Sequence, residues 1–289
     1  MKIVVTGGTG FIGAPLVRAL VDRGDVVTVL ARDPARVPSG VTGVRAELEL
    51  GGAWTDVIDG VDAIVHLAGE SIAGKRWDAR QKQLIRDSRI ESTRMLVEAI
   101  ARAQRKPRVL VTASGVDYYP FAVDTAGFDD DPVSVDDPPA DSFLGRLCRD
   151  WEKEAFAAKS HGVRVVALRT GLVLGEGGGA LGKLATPFRF FVGGPLGNGR
   201  QWTSWIDLAD AVRGYLLALD RDDVVGPHNL VKESIRNREF AAMIGKRLGR
   251  PSWLPVPAFA LRAAVGELAE YMLYGRRVDP TISFAQSLT

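Results

Sequence analysis

Along the first 170 positions, short runs of β-branched and apolar residues recur, each bounded by glycine, proline or polar side chains. Ile3–Thr6, Val26–Leu30, Ala63–Leu67, Val109–Thr112 and Val163–Leu168 read as strands buried on both faces, and Gly43–Ala46 is a weaker candidate, third of six. Between them, Ala14–Asp22, Asp78–Ala103 and Phe143–Lys159 carry apolar residues at the three-and-four spacing of a helix. This alternation predicts an α/β fold, a doubly wound parallel sheet over residues 1–170 to which later segments return. The stretch Phe121–Asp141, rich in Asp, Pro, Gly and Ser, follows neither period and reads as a long loop of the kind used for lids. Over 171–289 the alternation weakens. Glycine-rich turns at 175–179 and 193–199 lead to helical patterns at Arg238–Leu248 and Ala258–Leu273, which predict a small, mostly helical C-terminal lobe on the substrate side.

Composition narrows the class without naming it. Of 289 residues, 46% are hydrophobic and 25% charged, enough apolar surface for a large core, and the net charge is +2 with both signs interspersed. No basic stripe points to nucleic acid, and the most apolar late stretch is broken by Arg262, Glu267 and Glu270, which argues against a membrane span. The expected partner is a small molecule, with a homodimer left open. Cys148 is the single cysteine, so no internal disulfide forms, and no Cys/His grouping has metal-site spacing. Met1 runs straight into a strand without signal-peptide order, which gives a cytoplasmic expectation.

The first strand-to-helix junction carries the clearest chemistry. Gly7, Gly10 and Gly13 are spaced Gly-x-x-Gly-x-x-Gly, with Thr9, Phe11 and Ile12 between them. Such glycines allow a tight turn, close approach of backbone to a pyrophosphate, and close packing of helix on strand. The amides of the following helix N-terminus then face the negative charge, as in a Rossmann fold. At the end of the second strand stands Arg32, followed by Asp33 and Arg36. Arg32, assisted by Arg36, can bind a 2′-phosphate bidentately, which favours NADP(H) over NAD(H); Asp33 could instead take the ribose hydroxyls.

Further along, His66-Leu67-Ala68-Gly69-Glu70, Gly74-Lys75-Arg76-Trp77, Ser88-Arg89-Ile90-Glu91-Ser92-Thr93, Ser114 with Tyr118-Tyr119, Leu147–Glu152, Leu168–Gly175 and Trp205-Ile206-Asp207 complete a set. Together with Thr6–Gly13 it resembles the extended and atypical short-chain dehydrogenase/reductases, more narrowly the NAD-dependent epimerase/dehydratase proteins of the SulA-like nucleoside-diphosphate-sugar epimerase group. The resemblance implies that Leu67, Ala68 and Gly69 line the adenosine side and that Arg89 points toward the cofactor. It also sets Thr112, Ala113 and Ser114 beside the nicotinamide ribose and brings Gly171 and Leu172 to the carboxamide. Relatives that transfer hydride use a Tyr-x-x-x-Lys helix, yet alignment on Trp151-Glu152 puts Leu144 and Cys148 at those two places. Neither can exchange the proton. Ser114 and Tyr118 are then the expected catalytic pair, and Lys75, Tyr119, Arg169 and Trp202 the expected substrate contacts, against a reading in which the tyrosines wall the pocket, the cations pair structurally and the tryptophan packs a junction. His66, inside an apolar strand, reads as core. Two functions stay open: an atypical NADP(H)-dependent oxidoreductase or epimerase-like enzyme, and a non-catalytic NADP(H)-binding sensor or cell-division-associated interaction protein.

Overall fold

The computed structural model describes residues 1–121, 130–176 and 178–282. All six predicted strands form: β1 (Lys2–Thr6), β2 (Val26–Ala31), β3 (Thr42–Arg45), β4 (Ala63–His66), β5 (Val109–Gly115) and β6 (Arg164–Thr170). They run parallel in a seven-stranded sheet ordered β3-β2-β1-β4-β5-β6-β9, in which the seventh strand is β9 (Gly226–Leu230). The remaining three, β7 (Leu172–Leu174), β8 (Trp202–Asp207) and β10 (Glu233–Arg236), make a separate small sheet in the order β10-β8-β7. A return of later segments to the sheet was expected, but not that β9 would be the strand, and the small sheet was not expected. β9 reads Gly-Pro-His-Asn-Leu, without an apolar run, and is a strand because it is hydrogen-bonded to the edge of β6, Leu168 opposite His228. An edge position also tolerates its proline.

Alternate side chains divide the core. Ile3 and Val5 face a layer containing Leu16, Val17 and Leu20 of α1 (Gly13–Asp22) with Tyr215 and Leu219 of α5 (Leu208–Asp220). Val4 and Ile64 face the opposite layer, with Leu96 and Ile100 of α2 (Ala79–Arg102) and Ala155 of α3 (Phe143–Phe156). Both faces of the sheet are thus dry, as continuous apolar strands require. Local signals start the longer helices: the Asp78 carboxylate accepts the Gln81 N–H at 2.7 Å, and the Ser142 hydroxyl accepts that of Gly145 at 3.1 Å.

The remaining helices are α4 (Gly179–Arg189), α6 (Asn237–Leu248), α7 (Ala258–Val265) and α8 (Leu268–Leu273). α4 was not expected, and the single helix expected over 258–273 is two, because Gly266 takes φ 66° and ends α7. Part of the 121–141 loop, residues 122–129, lies outside the described residues. Ala140 N–H bonds the Tyr118 carbonyl at 2.7 Å, which holds the far end of that loop to the turn after β5. Among the described residues no helix is long and apolar enough to cross a membrane.

Candidate active site

The glycine turn sits between β1 and α1 at the carboxyl edge of the sheet. Gly7 has φ 68°, and a Cβ on it would lie 2.7 Å from the Leu67 carbonyl carbon. A Cβ on Gly13 would lie 2.1 Å from the Gly7 oxygen, so no side chain fits at either place. α1 begins at Ile12 with no side-chain cap and no acidic residue in its first turn. In its first turn the Ala14 N–H bonds the Gly10 carbonyl at 2.9 Å and Pro15 has no N–H, so the amides of Phe11, Ile12 and Gly13, with no compensating carboxylate in the turn, are the donors left for an anion. A cleft of about 450 Å³ lies alongside, lined by Thr9, Gly10, Phe11, Arg18, Glu176 and Leu208 among others. The Phe11 ring packs against Gly175, Gly178 and Gly179, so its side chain closes the turn from the C-terminal side while its backbone remains in the turn.

His66 fixes the neighbouring strand end. The Thr6 hydroxyl oxygen accepts the N–H groups of Leu67 and Ala68, each at 3.2 Å, and meets His66 Nδ1 at 2.7 Å. His66 Nε2 lies 3.0 Å from Thr93 Oγ1, whose own proton goes to the Arg89 carbonyl. This network is consistent only with a neutral ring that accepts at Nδ1 and donates from Nε2. Burial, with Arg89 nearby, pushes its pKa down to about 3. His66 is core, as expected, and with Thr6 it holds Leu67 and Ala68 beside Gly7. Arg89 lies behind Gly69, its Nη1 donating to the Glu70 and Ile85 carbonyls at 3.0 and 3.1 Å and its guanidinium 5.3 Å from the Trp151 ring.

At the other side of the turn, Arg32 and Arg36 are exposed. Neither takes part in an ion pair among the described residues. Asp33 is not free in the same sense: its carboxylate accepts the Ala35 N–H at 3.1 Å and caps the turn 34–36.

The substrate end departs further from expectation. Ser114 Oγ donates to Glu152 Oε1 at 2.7 Å, and Glu152 receives Arg169 through Nε at 2.8 Å and Nη2 at 2.8 Å. Arg169 Nη1 continues to the Tyr119 hydroxyl at 2.9 Å and the Val135 carbonyl, and Tyr119 donates to Asn229 Oδ1 at 2.6 Å. Arg169, expected to bind substrate, is instead a buried structural cation, 2% exposed; burial opposes its charge, but the Glu152 carboxylate holds its pKa above the ordinary value. Tyr119 is likewise buried, 1% exposed, and its phenol is spent inside this network. The Arg169 guanidinium also stands 3.4 Å from the centre of the Tyr118 ring, a cationic partner for that tyrosine. Trp202, expected to contact substrate, lies in the small sheet with the guanidiniums of Arg236 and Arg277 over its ring at 4.0 and 5.8 Å. Thr112 is fully buried in β5, so its side chain serves the sheet, and its hydroxyl bonds the Ala113 carbonyl. Gly171 abuts Ser204, and Leu172 packs in the small-sheet cluster. Lys75 is exposed and has no partner among the described residues.

Burial pushes the Cys148 thiol up to about 12, with the carboxylates of Asp117 and Glu152 adding to the rise, so it stays a neutral thiol. Sequence reasoning missed Asp117, Phe121, Phe143, Tyr271 and Tyr274. Trp77 meets Phe143 edge to face at 5.3 Å and Tyr271 at a tilt at 5.6 Å, and Phe121 meets Tyr271 at 5.3 Å and stacks on Tyr274 at 6.0 Å. The only signal for the four aromatics was residue type, since with Trp77 they come from separate segments, and Asp117 carried no signal at all. Among the described residues no group of His, Cys, Asp and Glu could hold a metal ion.

A parallel sheet with a glycine turn at its first crossover is the architecture of dinucleotide-binding α/β proteins. The chain belongs to the NAD dependent epimerase/dehydratase family, whose model matches residues 3–231. It is 39% identical over 291 residues to the chloroplastic epimerase family protein SDR39U1 homolog of Arabidopsis thaliana, covering 97% of this chain and 80% of that one. It is 37% identical over 294 residues to epimerase family protein SDR39U1 of Bos taurus, covering 99% and 94%. Among solved structures it is similar to human epimerase family protein SDR39U1 (isoform 2) with NADPH, at a TM-score of 0.85 and 36% identity over 100% of this chain and 94% of that one. MoeE5 in complex with UDP-glucose and NAD superimposes at a TM-score of 0.76 and 25% identity, over 100% and 92%.

Proposed function

We propose that this chain is an NADP(H)-dependent oxidoreductase or epimerase acting on a small carbonyl compound or nucleotide sugar. The observation that carries it is the pairing of an uncapped glycine turn with an unengaged Arg32 while Asp33 is occupied as a cap. The NADPH bound to the human relative supports the same choice of dinucleotide. In this reading the backbone of 7–13 holds the pyrophosphate, Arg32 and Arg36 hold the 2′-phosphate, and Leu67, Ala68, Gly69 and Arg89 flank the adenosine side. The ends of β5 and β6, with Ala113, Gly171 and Leu172, border the nicotinamide. The bound cofactor supplies or accepts hydride at its nicotinamide ring. Ser114 gives its own proton to Glu152, so toward a substrate its oxygen is an acceptor, suited to orienting a hydroxyl. Lys75 offers a free cation to a substrate phosphate or carboxylate, and Tyr118 forms part of the wall.

Calorimetric titration of NADPH and NADH against the parent and Arg32→Ala tests the cofactor assignment. NADPH should bind more tightly to the parent, with that preference cut at least tenfold in the variant; a parent that prefers NADH ends the phosphate argument.

One observation favours a second reading, a protein that binds NADP(H) without turnover: Leu144 and a neutral Cys148 stand where the resemblance places tyrosine and lysine. Substrate-dependent oxidation of NADPH over a panel of carbonyl compounds and sugar nucleotides separates the two.

A further inference from the structure

The positions of the absent tyrosine and lysine are not chemically empty in space. Leu144 and Cys148 lie one turn apart on α3, and each has an ionisable group from elsewhere in the chain beside it. The Tyr271 hydroxyl of α8 accepts the Leu144 backbone N–H at 3.1 Å. The Asp117 carboxyl, in the single turn that follows β5, shares with the Cys148 sulfur the open face of Gly115. A Cβ built there would lie 3.5 Å from Asp117 Oδ2 and 3.7 Å from Cys148 Sγ. Asp117 as a residue is half-buried while its carboxyl is desolvated by the surrounding protein, and no other residue's side chain hydrogen-bonds that carboxyl among the described residues. It is therefore a carboxyl with open lone pairs at the end of a central strand, three residues from Ser114, where ligands collect in parallel sheets.

We propose that Asp117 is the proton-transferring group of this site, with Tyr271 closing it from the C-terminal lobe. This rests on the cofactor reading given above. In the oxidising direction Asp117 takes the proton of a substrate hydroxyl while the carbon bearing it gives up hydride to NADP⁺, leaving a carbonyl and NADPH. In the reducing direction the protonated carboxyl returns that proton to the carbonyl oxygen. Asp117 exchanges with solvent afterwards, so atoms and charge balance.

The electrostatics agree with the task. Burial raises the Asp117 carboxyl to about 6, opposed only by its own backbone N–H. Cys148 of α3 and Tyr271 of α8 are the ionisable side chains that feel its charge: burial pushes both the thiol and the phenol up, and Asp117 adds to each rise. Arg169 is committed to Glu152 and Arg89 to backbone carbonyls, and neither lowers the Asp117 carboxyl. A group titrating near 6 is poised to work in both directions at neutral pH.

The test needs no substrate. In the full-length protein labelled with ¹³C at aspartate carboxyl carbons, the resonance lost in Asp117→Asn identifies the group, and its titration is followed with saturating NADPH and with saturating NADP⁺. The oxidised ring carries a positive charge that the reduced ring lacks, so a carboxyl facing it should titrate about one pH unit lower in the NADP⁺ complex. Equal midpoints in two complexes that both form would overturn the role of Asp117 and leave the cofactor reading standing. Failure of both dinucleotides to bind would remove the cofactor reading and this assignment together.

Discussion

Glu152 and Arg169 are buried charges joined by two hydrogen bonds, with Ser114 and Tyr119 filling remaining positions on each. Removing one partner leaves the other charge desolvated and unpaired, which costs about 3–5 kcal/mol. Glu152→Gln should therefore lower the urea midpoint severely, while Ser114→Ala, which deletes one hydrogen bond to a charge, should cost roughly 1.5–3 kcal/mol. If Glu152→Gln unfolds at the parent's midpoint, the pair has no structural weight. Asp117 makes a pH-dependent prediction of opposite character. Its folded-state pKa of about 6 lies above the ordinary 3.8, so the native chain binds this proton more tightly than the unfolded chain does. The contribution is complete below about pH 4 and disappears as pH rises through about 6. Asp117→Asn lacks that slope, so its stability should gain on the parent's between pH 4.5 and pH 7, read from urea midpoints at both. The residues of the glycine turn were legible because a repeated spacing between strand and helix encodes a local shape. Glu152 with Arg169, and Asp117 with Tyr271, were not, because each pair is brought together from different elements.

At the scale of elements, the β1–α1 crossover works by exclusion of side chains. Gly13→Ala would force a Cβ to within 2.1 Å of the Gly7 oxygen, so the turn must open. Crowding of this kind costs about 1–3 kcal/mol, and the expected result is a thermal unfolding shift to match together with loss of measurable NADPH binding. The α7–α8 junction depends on Gly266 at φ 66° and ψ −138°, a conformation essentially reserved to glycine, where an L side chain costs about 1–3 kcal/mol. Gly266→Ala should lose about that much in chemical denaturation, with no effect on dinucleotide affinity if the lobe stays docked. A sequence period could not divide these helices, since both halves keep the same apolar pattern and only the backbone reverses. The small sheet was equally hidden. β7 has three residues, and β8 and β10 alternate polar and apolar positions too briefly to show a period.

For the whole molecule, the sheet and the C-terminal lobe meet over α2 and α3. Lys82 pairs with Glu267 at 2.5 Å, Arg76 Nη1 reaches the Ala263 carbonyl at 3.0 Å, and Tyr271 packs on Trp77. A ligand that binds only the folded chain stabilises it by mass action, by about 2.7 kcal/mol at a hundred times its dissociation constant. NADPH should thus raise the melting temperature by several degrees, and NADH at equal concentration by less. A larger shift with NADH would contradict the Arg32 assignment.

The sequence by itself determined the parallel sheet, its crossover helices and the turn at Gly7–Gly13, because burial of apolar runs and the steric needs of a tight turn act over a few neighbouring residues. It also placed Arg32 immediately after the second strand. Only the tertiary structure decided that Gly226–Leu230 is the seventh strand, that Arg169 serves Glu152 rather than a ligand, and that Asp117 and Tyr271 stand where Leu144 and Cys148 offer no acid or base. Those outcomes depend on which charges and hydrogen-bonding groups are desolvated together, and that pairing exists only after distant segments have packed.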